Sequence, residues 1–188
     1  QKIARLCSLS QISHITVAVD NIRNVLDLSE AACSSGVNIS VVIELNSRQN
    51  RCGVDSKALA IDIAQSICNK PKLHFEGYCT YEGAILEESP ALLELETRKV
   101  AQVLLDFKAS TEGAGLEVKR LIAGGTHNYE LMGAIPGITE VCAGSYVLMD
   151  ARYSPYRPQL KNAARVLTTI TSRPEAGLAI LDTGQKTV

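Results

Sequence analysis

Two short loops hold the residues whose types and spacing best suit chemistry in this chain of 188 residues. The apolar run at 116–122 leads into Gly124-Gly125-Thr126, and a second run at 138–142 leads into Gly144-Ser145-Tyr146. Glycine lets backbone N–H groups approach an anion closely, and a Thr or Ser hydroxyl adds a donor. Each loop alone also fits an ordinary turn between strand and helix. In a βα barrel, however, phosphate commonly sits at the loops after the last two strands, so the pair indicates a phosphate site.

Composition excludes several classes of protein. The chain is 46% hydrophobic and 21% charged, with a formal net charge of −1, which is ordinary for a globular domain. No basic stripe indicates nucleic-acid binding, and no apolar run approaches the about 20 residues of a membrane span. The N-terminus has neither a signal-peptide core nor an initiator Met, which predicts an internal fragment.

Cysteine and histidine usage argues against disulfides and against a metal site. None of the six cysteines forms a Cys-x-x-Cys pair, and most lie inside apolar runs. They are predicted to be buried, reduced thiols of a cytoplasmic protein. The three histidines (14, 74 and 127) lack metal-ligand spacing.

Helices and strands alternate along the first 150 residues. The apolar patterns predict strands at 14–20, 38–45, 72–81, 116–122 and 138–142. They predict helices at 1–10, 22–35, from Asp55 or Ser56 onwards, and from Ser89-Pro90 to about 112. Asp20 or Asn21 is expected to cap the second helix, and Gly36 to end it. Such alternation implies parallel strands with right-handed crossovers, in a barrel or a doubly wound sheet.

The pattern changes after Asp150. A Pro- and Tyr-rich connection is followed by predicted strands at 163–172 and 178–182, joined by a short turn. Two such strands form an antiparallel hairpin. We therefore predict a parallel domain over residues 1–152 and the beginning of a β-rich domain over 153–188.

Six stretches, taken together in this order, resemble the D-threonine aldolase and D-serine dehydratase family. These are pyridoxal-phosphate enzymes of the alanine-racemase-like barrel class. The stretches are residues 14–20, 41–54, 77–83 (Gly-Tyr-Cys-Thr-Tyr-Glu-Gly), 123–130, 139–150 (Thr-Glu-Val-Cys-Ala-Gly-Ser-Tyr-Val-Leu-Met-Asp) and 182–186. The resemblance implies a partial (β/α)8 TIM-like barrel of about the last five βα units.

The resemblance also implies a ligand and roles for named residues. The cofactor's phosphate would be held by Gly124, Gly125, Thr126, Gly144, Ser145 and Tyr146. Arg51 would face the phenolic oxygen of the cofactor; otherwise it forms a surface ion pair. Tyr81 would pack beside the cofactor ring; otherwise it is an ordinary aromatic side chain at a strand end.

This sequence departs from the family pattern at five positions. Asn46 replaces Asp, Arg48 and Asn50 replace glycines, Glu82 replaces His, and His127 replaces Gly. Arg tolerates positive φ poorly and Asn moderately, which bears on the conformation of the 46–52 loop. His127 is expected to be exposed at a helix start; contact with phosphate is the alternative.

The resemblance implies that the lysine that forms the Schiff base lies upstream of residue 1. Lys119 begins a strand, at the wrong end of a barrel, and Lys186 lies in the β-rich part. The family's divalent metal (Mn, Mg or Zn) uses a His paired with Cys or Asp beyond Val188. Residues 1–188 alone are therefore predicted to be inactive.

The full protein is predicted to be a metal-assisted lyase that splits D-3-hydroxy amino acids to glycine and an aldehyde. The main alternative is D-serine dehydratase, which yields pyruvate and ammonia, and an alanine-racemase-type activity is a further one. A non-catalytic pyridoxal-phosphate-binding barrel and a sugar-phosphate barrel enzyme are the rivals of other classes. The resemblance implies a homodimer.

Overall fold

The computed structural model describes residues 2–83, 85 and 89–184. The chain divides into two units, Gln1–Gly144 and Ser145–Val188, whereas the sequence predicted a boundary after residue 152. The helices of the first unit are α1 Lys2–Ser10, α2 Ile22–Ser35, α3 Lys57–Cys68, α4 Pro90–Gly113 and α5 Tyr129–Gly133. Its strands are β1 Thr16–Val19, β2 Ile39–Leu45, β3 Leu73–Thr80, β4 Arg120–Ala123 and β5 Glu140–Val141.

The five strands form one parallel sheet in the order β1-β2-β3-β4-β5. A doubly wound sheet reverses its strand order, whereas a barrel adds each strand beside the last. A hydrogen bond shows that the sheet is also curved. Arg120 Nη1 on β4 donates to Thr16 Oγ1 on β1 at 2.8 Å, although β2 and β3 lie between these strands. Arg120 further pairs with Glu140 on β5, with Nε–Oε1 at 2.5 Å. Sequential order and curling confirm the predicted partial βα barrel.

Local chemistry sets the helix ends as predicted. Asn21 caps α2 by accepting a hydrogen bond from Asn24 N, and Gly36 ends it with φ at 70°. Ser56 caps α3 by accepting from Leu59 N. Pro90 opens α4, although the preceding Ser89 makes no side-chain capping bond.

The core lies between the sheet and the helices. Tyr78 on β3 is fully buried, and its hydroxyl lies 2.5 Å from Thr111 Oγ1 on α4. Its ring meets Phe75 and Phe107 edge-on, with centroids 5.8 and 5.9 Å away. β2 is buried at almost every position, as a strand covered on both faces must be.

All five predicted strands of the first unit are longer than the observed ones, most clearly β4 and β5. β4 begins at Arg120, because ladder pairing starts where Lys119 N donates to Glu76 O. β5 is reduced to two residues, Glu140 and Val141. A strand extends only as far as its partner, which an apolar pattern does not report.

The second unit contains the predicted antiparallel hairpin. A 3₁₀ turn, Ser145–Val147, precedes β6 Ile170–Ser172 and β7 Ile180–Leu181, which pair antiparallel. The Asp182 carboxylate accepts from Thr169 N at 2.9 Å and from Thr168 Oγ1 at 2.8 Å, tying the two strand ends together. The observed strand β6 covers only the last three residues of the strand predicted at 163–172.

Burial of the cysteines was wrongly predicted. All six are free, but only Cys7 is buried; Cys79 is half-buried, and the exposed ones are Cys33, Cys52, Cys68 and Cys142. Flanking apolar residues do not fix which face of an element a thiol occupies. In the described part of the chain, no helix is both long and apolar enough to cross a membrane.

Candidate functional site

The loop after β2 is closed at its base by backbone hydrogen bonds. Asn46 N donates to Val54 O at 3.1 Å, and Val54 N donates to Glu44 O at 2.9 Å. Positive φ falls on Asn50 (52°) and Gly53 (99°) rather than on Arg48. A Cβ at Gly53 would lie 2.6 Å from Asn46 N, so this turn requires glycine. The two residues that replace family glycines therefore fit, since Asn50 takes the left-handed conformation.

Arg51 forms the surface ion pair that was its alternative arrangement, and it also lies over an aromatic ring; that it faces a cofactor stays a prediction. Its guanidinium carbon lies 5.6 Å from the centroid of the Tyr81 ring, within cation–π range. Its Nη2 lies 3.7 Å from Glu44 Oε1, and 56% of the side chain is exposed. Arg51 is thus an exposed cation that lies over the aromatic ring at the carboxyl end of β3.

Tyr81 lies beside the glycine turn that follows β4. A Cβ at Gly125 would be 3.7 Å from Tyr81 Cε2 and 3.2 Å from His127 Nδ1. Arg51, Tyr81 and Gly125 therefore form a continuous row at the carboxyl ends of β2, β3 and β4. That edge is where the active sites of βα barrels are built.

The N–H groups of both glycines in this turn bind side chains of the protein itself. Gly124, with φ at 84°, donates to Glu82 Oε2 at 3.3 Å. Gly125 donates to Asn128 Oδ1 at 2.9 Å. The glycines thus shape the turn. Either N–H could bind a phosphate only after its hydrogen bond to Glu82 or Asn128 is broken. The adjacent Thr126 is buried.

Glu82 lies beneath the turn and is 1% exposed. Besides Gly124, its carboxylate accepts from Asn128 Nδ2, at 2.9 Å to Oε1. The same amide nitrogen lies 3.2 Å from Thr97 Oγ1 on α4. Burial raises the pKa of Glu82 above its usual value, and the hydrogen bonds from Asn128 and Gly124 and the charge of Arg48 offset part of that rise.

His127 is buried, contrary to the prediction of an exposed helix-start residue. Only 1% of it is exposed, and its Nε2 lies 3.8 Å from Glu82 Oε1. α5 begins at Tyr129, with Asn128 as its N-cap, so His127 precedes the helix. Because Gly125 has no side chain, the ring packs against that backbone.

The second glycine-containing loop spans the division between the two units. Gly144 ends the first unit, and Ser145 and Tyr146 open the 3₁₀ turn of the second. A Cβ at Gly144 would meet no atom within 4 Å, so packing does not require glycine there. Tyr146 is 53% exposed. That both loops hold one phosphate stays a prediction.

Of the two lysines considered as Schiff-base candidates, Lys119 is at the position predicted for it. Lys119 directly precedes β4, at the amino end of the sheet, and its Nζ lies 3.7 Å from Glu117 Oε2. Lys186 lies outside the described residues. Among the described residues, no group of three or more His, Cys, Asp and Glu could hold a metal ion.

Sequence reasoning missed the side chains that hold the turn from below. Nothing in the sequence around Asn128 indicates that its side chain binds the turn. Thr97 is one of several polar residues in a long helix, and its type alone does not indicate a contact with Asn128. Glu82 was noted as a departure from a family pattern, but without a structural role. The sequence signal for such a role is a carboxylate two residues after a buried strand.

Comparison with known proteins places this geometry in a family. The family model of the alanine racemase N-terminal domain matches residues 4–151. D-threonine aldolase of Arthrobacter sp is 31% identical over 190 residues, covering 98% of this chain and 50% of the relative. A 3-hydroxy-D-aspartate aldolase of Paracoccus denitrificans (strain Pd 1222) is 30% identical over 200 residues, covering 98% and 51%.

Solved structures agree on the fold. The crystal structure of D-threonine aldolase from Filomicrobium marinum superimposes with a TM-score of 0.83 at 30% identity, covering 97% of this chain and 50% of that one. D-threo-3-hydroxyaspartate dehydratase from Delftia sp. HT23 gives 0.68 at 21% identity, covering 76% and 38%, a likeness in fold alone. The chain spans about half the length of the curated relatives it matches. Since the family model covers most of the first unit and the sheet has the matching topology, the chain belongs to the family of the alanine racemase N-terminal domain.

Proposed function

We propose that the protein containing this chain is a pyridoxal-phosphate-dependent lyase acting on D-3-hydroxy amino acids. The observation that carries the proposal is the row of Arg51, Tyr81 and the Gly124–Thr126 turn at one edge of the sheet. The names of the relatives support the reaction class, since they include a D-threonine aldolase and a 3-hydroxy-D-aspartate aldolase.

The residues of this edge fit a planar, phosphorylated cofactor. Arg51 offers a permanent cation over an aromatic face, which suits the phenolic oxygen of a pyridine ring stacked near Tyr81. Thr126 offers a hydroxyl beside a turn that Glu82 and Asn128 hold in place. When bound, pyridoxal phosphate withdraws electrons from bonds at the substrate's Cα. In this proposal, Arg51 stabilises negative charge at the phenolic oxygen, and Tyr81 orients the ring.

The proposed reaction cleaves the Cα–Cβ bond of the substrate. D-threonine would give acetaldehyde once a base removes the proton of the 3-hydroxyl group. The electron pair of the broken bond would stay at Cα, and a proton added there would complete glycine. A divalent metal that binds this hydroxyl belongs to the proposal for the full protein. None of the residues described in this structure is assigned to hold it.

Dehydration is the second candidate. The fold is shared with a D-threo-3-hydroxyaspartate dehydratase, so the scaffold itself does not favour one reaction. In that case D-serine would lose its hydroxyl group as water, and the product would hydrolyse to pyruvate and ammonia.

The test is an assay of the full-length protein supplied with pyridoxal phosphate. Borohydride reduction should fix the cofactor on a lysine, and D-threonine, 3-hydroxy-D-aspartate and D-serine should then be offered separately to the unreduced protein. Glycine plus an aldehyde as products supports the aldolase, whereas an oxo acid plus ammonia favours the dehydratase. Absence of cofactor binding overturns the proposal. Activity lost on chelation and restored by Mn²⁺ supports the metal.

Three further parts of the proposal concern the protein as a whole. Residues 1–188 expressed alone should show no activity, and cleavage of D-threonine by that piece would contradict this. We propose a homodimer, which sedimentation of the full-length protein tests. We also propose a cytoplasmic location, which fractionation tests.

A further inference from the structure

Two buried side chains hold consecutive N–H groups of the turn after β4. Glu82 accepts from Gly124 N, and Asn128 accepts from Gly125 N. The two side chains are joined by the bond from Asn128 Nδ2 to Glu82 Oε1 at 2.9 Å. Both residues are at most 1% exposed.

Each atom of this network has a fixed role. A carboxylate only accepts hydrogen bonds, whereas an amide both donates and accepts. Glu82 therefore has to take the two donors, and Asn128 has to donate with its nitrogen and accept with its oxygen. Because the cluster is buried, a mismatched donor or acceptor has no water to replace its partner.

The network adjoins the residues of the proposed site along the chain. Tyr81, which lies under the Arg51 guanidinium, precedes Glu82 directly, so the segment after β3 supplies both the aromatic ring and the buried carboxylate. The turn that Glu82 holds leads into Thr126, the hydroxyl donor of the proposed phosphate site.

We propose that Glu82 is a positioning residue which, through Asn128, holds the Gly124–Gly125 turn so that Thr126 can bind the phosphate of the cofactor. The inference rests on the proposed function. It assigns to Glu82 a role that its family counterpart, a histidine, would have to perform differently.

Exchanging the two side-chain types provides the test. Glu82→Gln turns one acceptor into an NH₂ group that faces the NH₂ group of Asn128. Asn128→Asp places two carboxylates in contact. In the double variant Glu82→Gln/Asn128→Asp, the Gln oxygen accepts from Gly124 N, and the Gln nitrogen donates to the introduced Asp carboxylate. The other oxygen of that carboxylate accepts from Gly125 N. The Thr97 hydroxyl, which accepts from Asn128 Nδ2 in the wild type, has to turn and donate to the carboxylate instead, so the number of bonds and the charge of the cluster are kept.

Dissociation constants for pyridoxal phosphate and for pyridoxal are measured on the full-length protein and on these three variants. Each single variant should bind pyridoxal phosphate about tenfold to a hundredfold more weakly, while pyridoxal, which lacks the phosphate, is little affected. The double variant should recover most of the lost affinity. Glu94→Gln, which removes an exposed carboxylate on α4, is the matched control and should change neither constant.

The inference is overturned if a single variant weakens the binding of pyridoxal phosphate and pyridoxal equally, or weakens neither. It is also overturned if the double variant binds pyridoxal phosphate no more tightly than the single variants. Hydrogen exchange at the Gly124 amide gives a readout independent of the cofactor, and Glu82→Gln should accelerate it. If the wild-type protein binds no pyridoxal phosphate, the proposed function fails. Unchanged exchange at Gly124 would then show separately that Glu82 does not hold the turn.

Discussion

Glu82 and His127 face each other within the protein, with Glu82 Oε1 3.8 Å from His127 Nε2. In the family pattern that the sequence resembles, position 82 carries the imidazole and position 127 has no side chain. Here the imidazole projects from the other strand end, and the vacated position holds a carboxylate. Gly125 leaves room for the His127 ring, since a Cβ there would lie 3.2 Å from His127 Nδ1.

The raised pKa of Glu82 predicts a pH-dependent stability. Burial places its folded-state pKa above the reference value of 4.5, so the folded protein holds this proton more tightly than the unfolded chain. The stabilisation is complete below 4.5 and is lost as the pH rises through the folded-state pKa. The charge of Arg48 lowers the pKa of Glu82, the charge of Glu82 raises the pKa of Cys142, and His127 Nε2 lies 3.8 Å from Glu82 Oε1.

Urea unfolding of wild-type protein and Glu82→Gln at a series of pH values measures this effect. The free energy of unfolding of the wild type should fall more steeply with rising pH than that of the variant. Parallel curves would show that Glu82 does not titrate in this range.

Replacing Arg51 should lower the kcat/KM of the full-length protein more than replacing Arg48 does. Arg51→Lys keeps the charge but loses the planar group above Tyr81. Loss of a hydrogen bond to a charged group costs about 1.5–3 kcal/mol, which corresponds to roughly tenfold to a hundredfold in kcat/KM. Arg48→Lys is the control, since Arg48 lies in the same loop as Arg51 but its Nε is 3.9 Å from Glu96 Oε2 on α4. Equal kinetics for the two variants would remove Arg51 from the site.

Gly77→Ala should disrupt the pairing of β3 with β4. Gly77 has φ at 147°, and a Cβ there would lie 2.0 Å from Arg120 O, a backbone atom that cannot move aside. Strain of this kind places the variant among the most destabilising substitutions, at about 4 kcal/mol or more. Gly113→Ala, at a helical position with no atom within 4 Å of the added Cβ, should be neutral or stabilising. Thermal unfolding of both variants measures the contrast, and a native-like Tm for Gly77→Ala would contradict it.

The hydrogen bond between Tyr78 and Thr111 should show coupling in a double-mutant cycle. Both residues are fully buried, with their oxygens 2.5 Å apart. Tyr78→Phe or Thr111→Val alone leaves one hydroxyl unsatisfied, at a cost of about 1–3 kcal/mol. The double variant should cost less than the sum of the two, as denaturant unfolding would measure. Additive losses would mean that the two hydroxyls do not interact.

The parts of the fold that follow from neighbouring residues were predictable. Asn21, Ser56 and Gly36 set helix ends through contacts within a few residues. The sequence identified Gly36, and it indicated Asn21 and Ser56 each as one of two adjacent candidates. His127 was wrongly placed because its burial depends on Glu82, which is distant in sequence. The same holds for Asn128, whose partner Glu82 is 46 residues away. The periodicity of apolar residues predicts which positions are buried, but it does not predict which distant side chains they contact.

The contact between Arg120 and Thr16 has a consequence for the order of folding. The two residues are 104 positions apart, with β2 and β3 between them in the sheet. Closing so long a segment carries an entropic cost that the intervening local contacts must first reduce. Arg120 is therefore expected to reach Thr16 only after β2 and β3 have paired, so their bond forms late and slows unfolding rather than speeding folding.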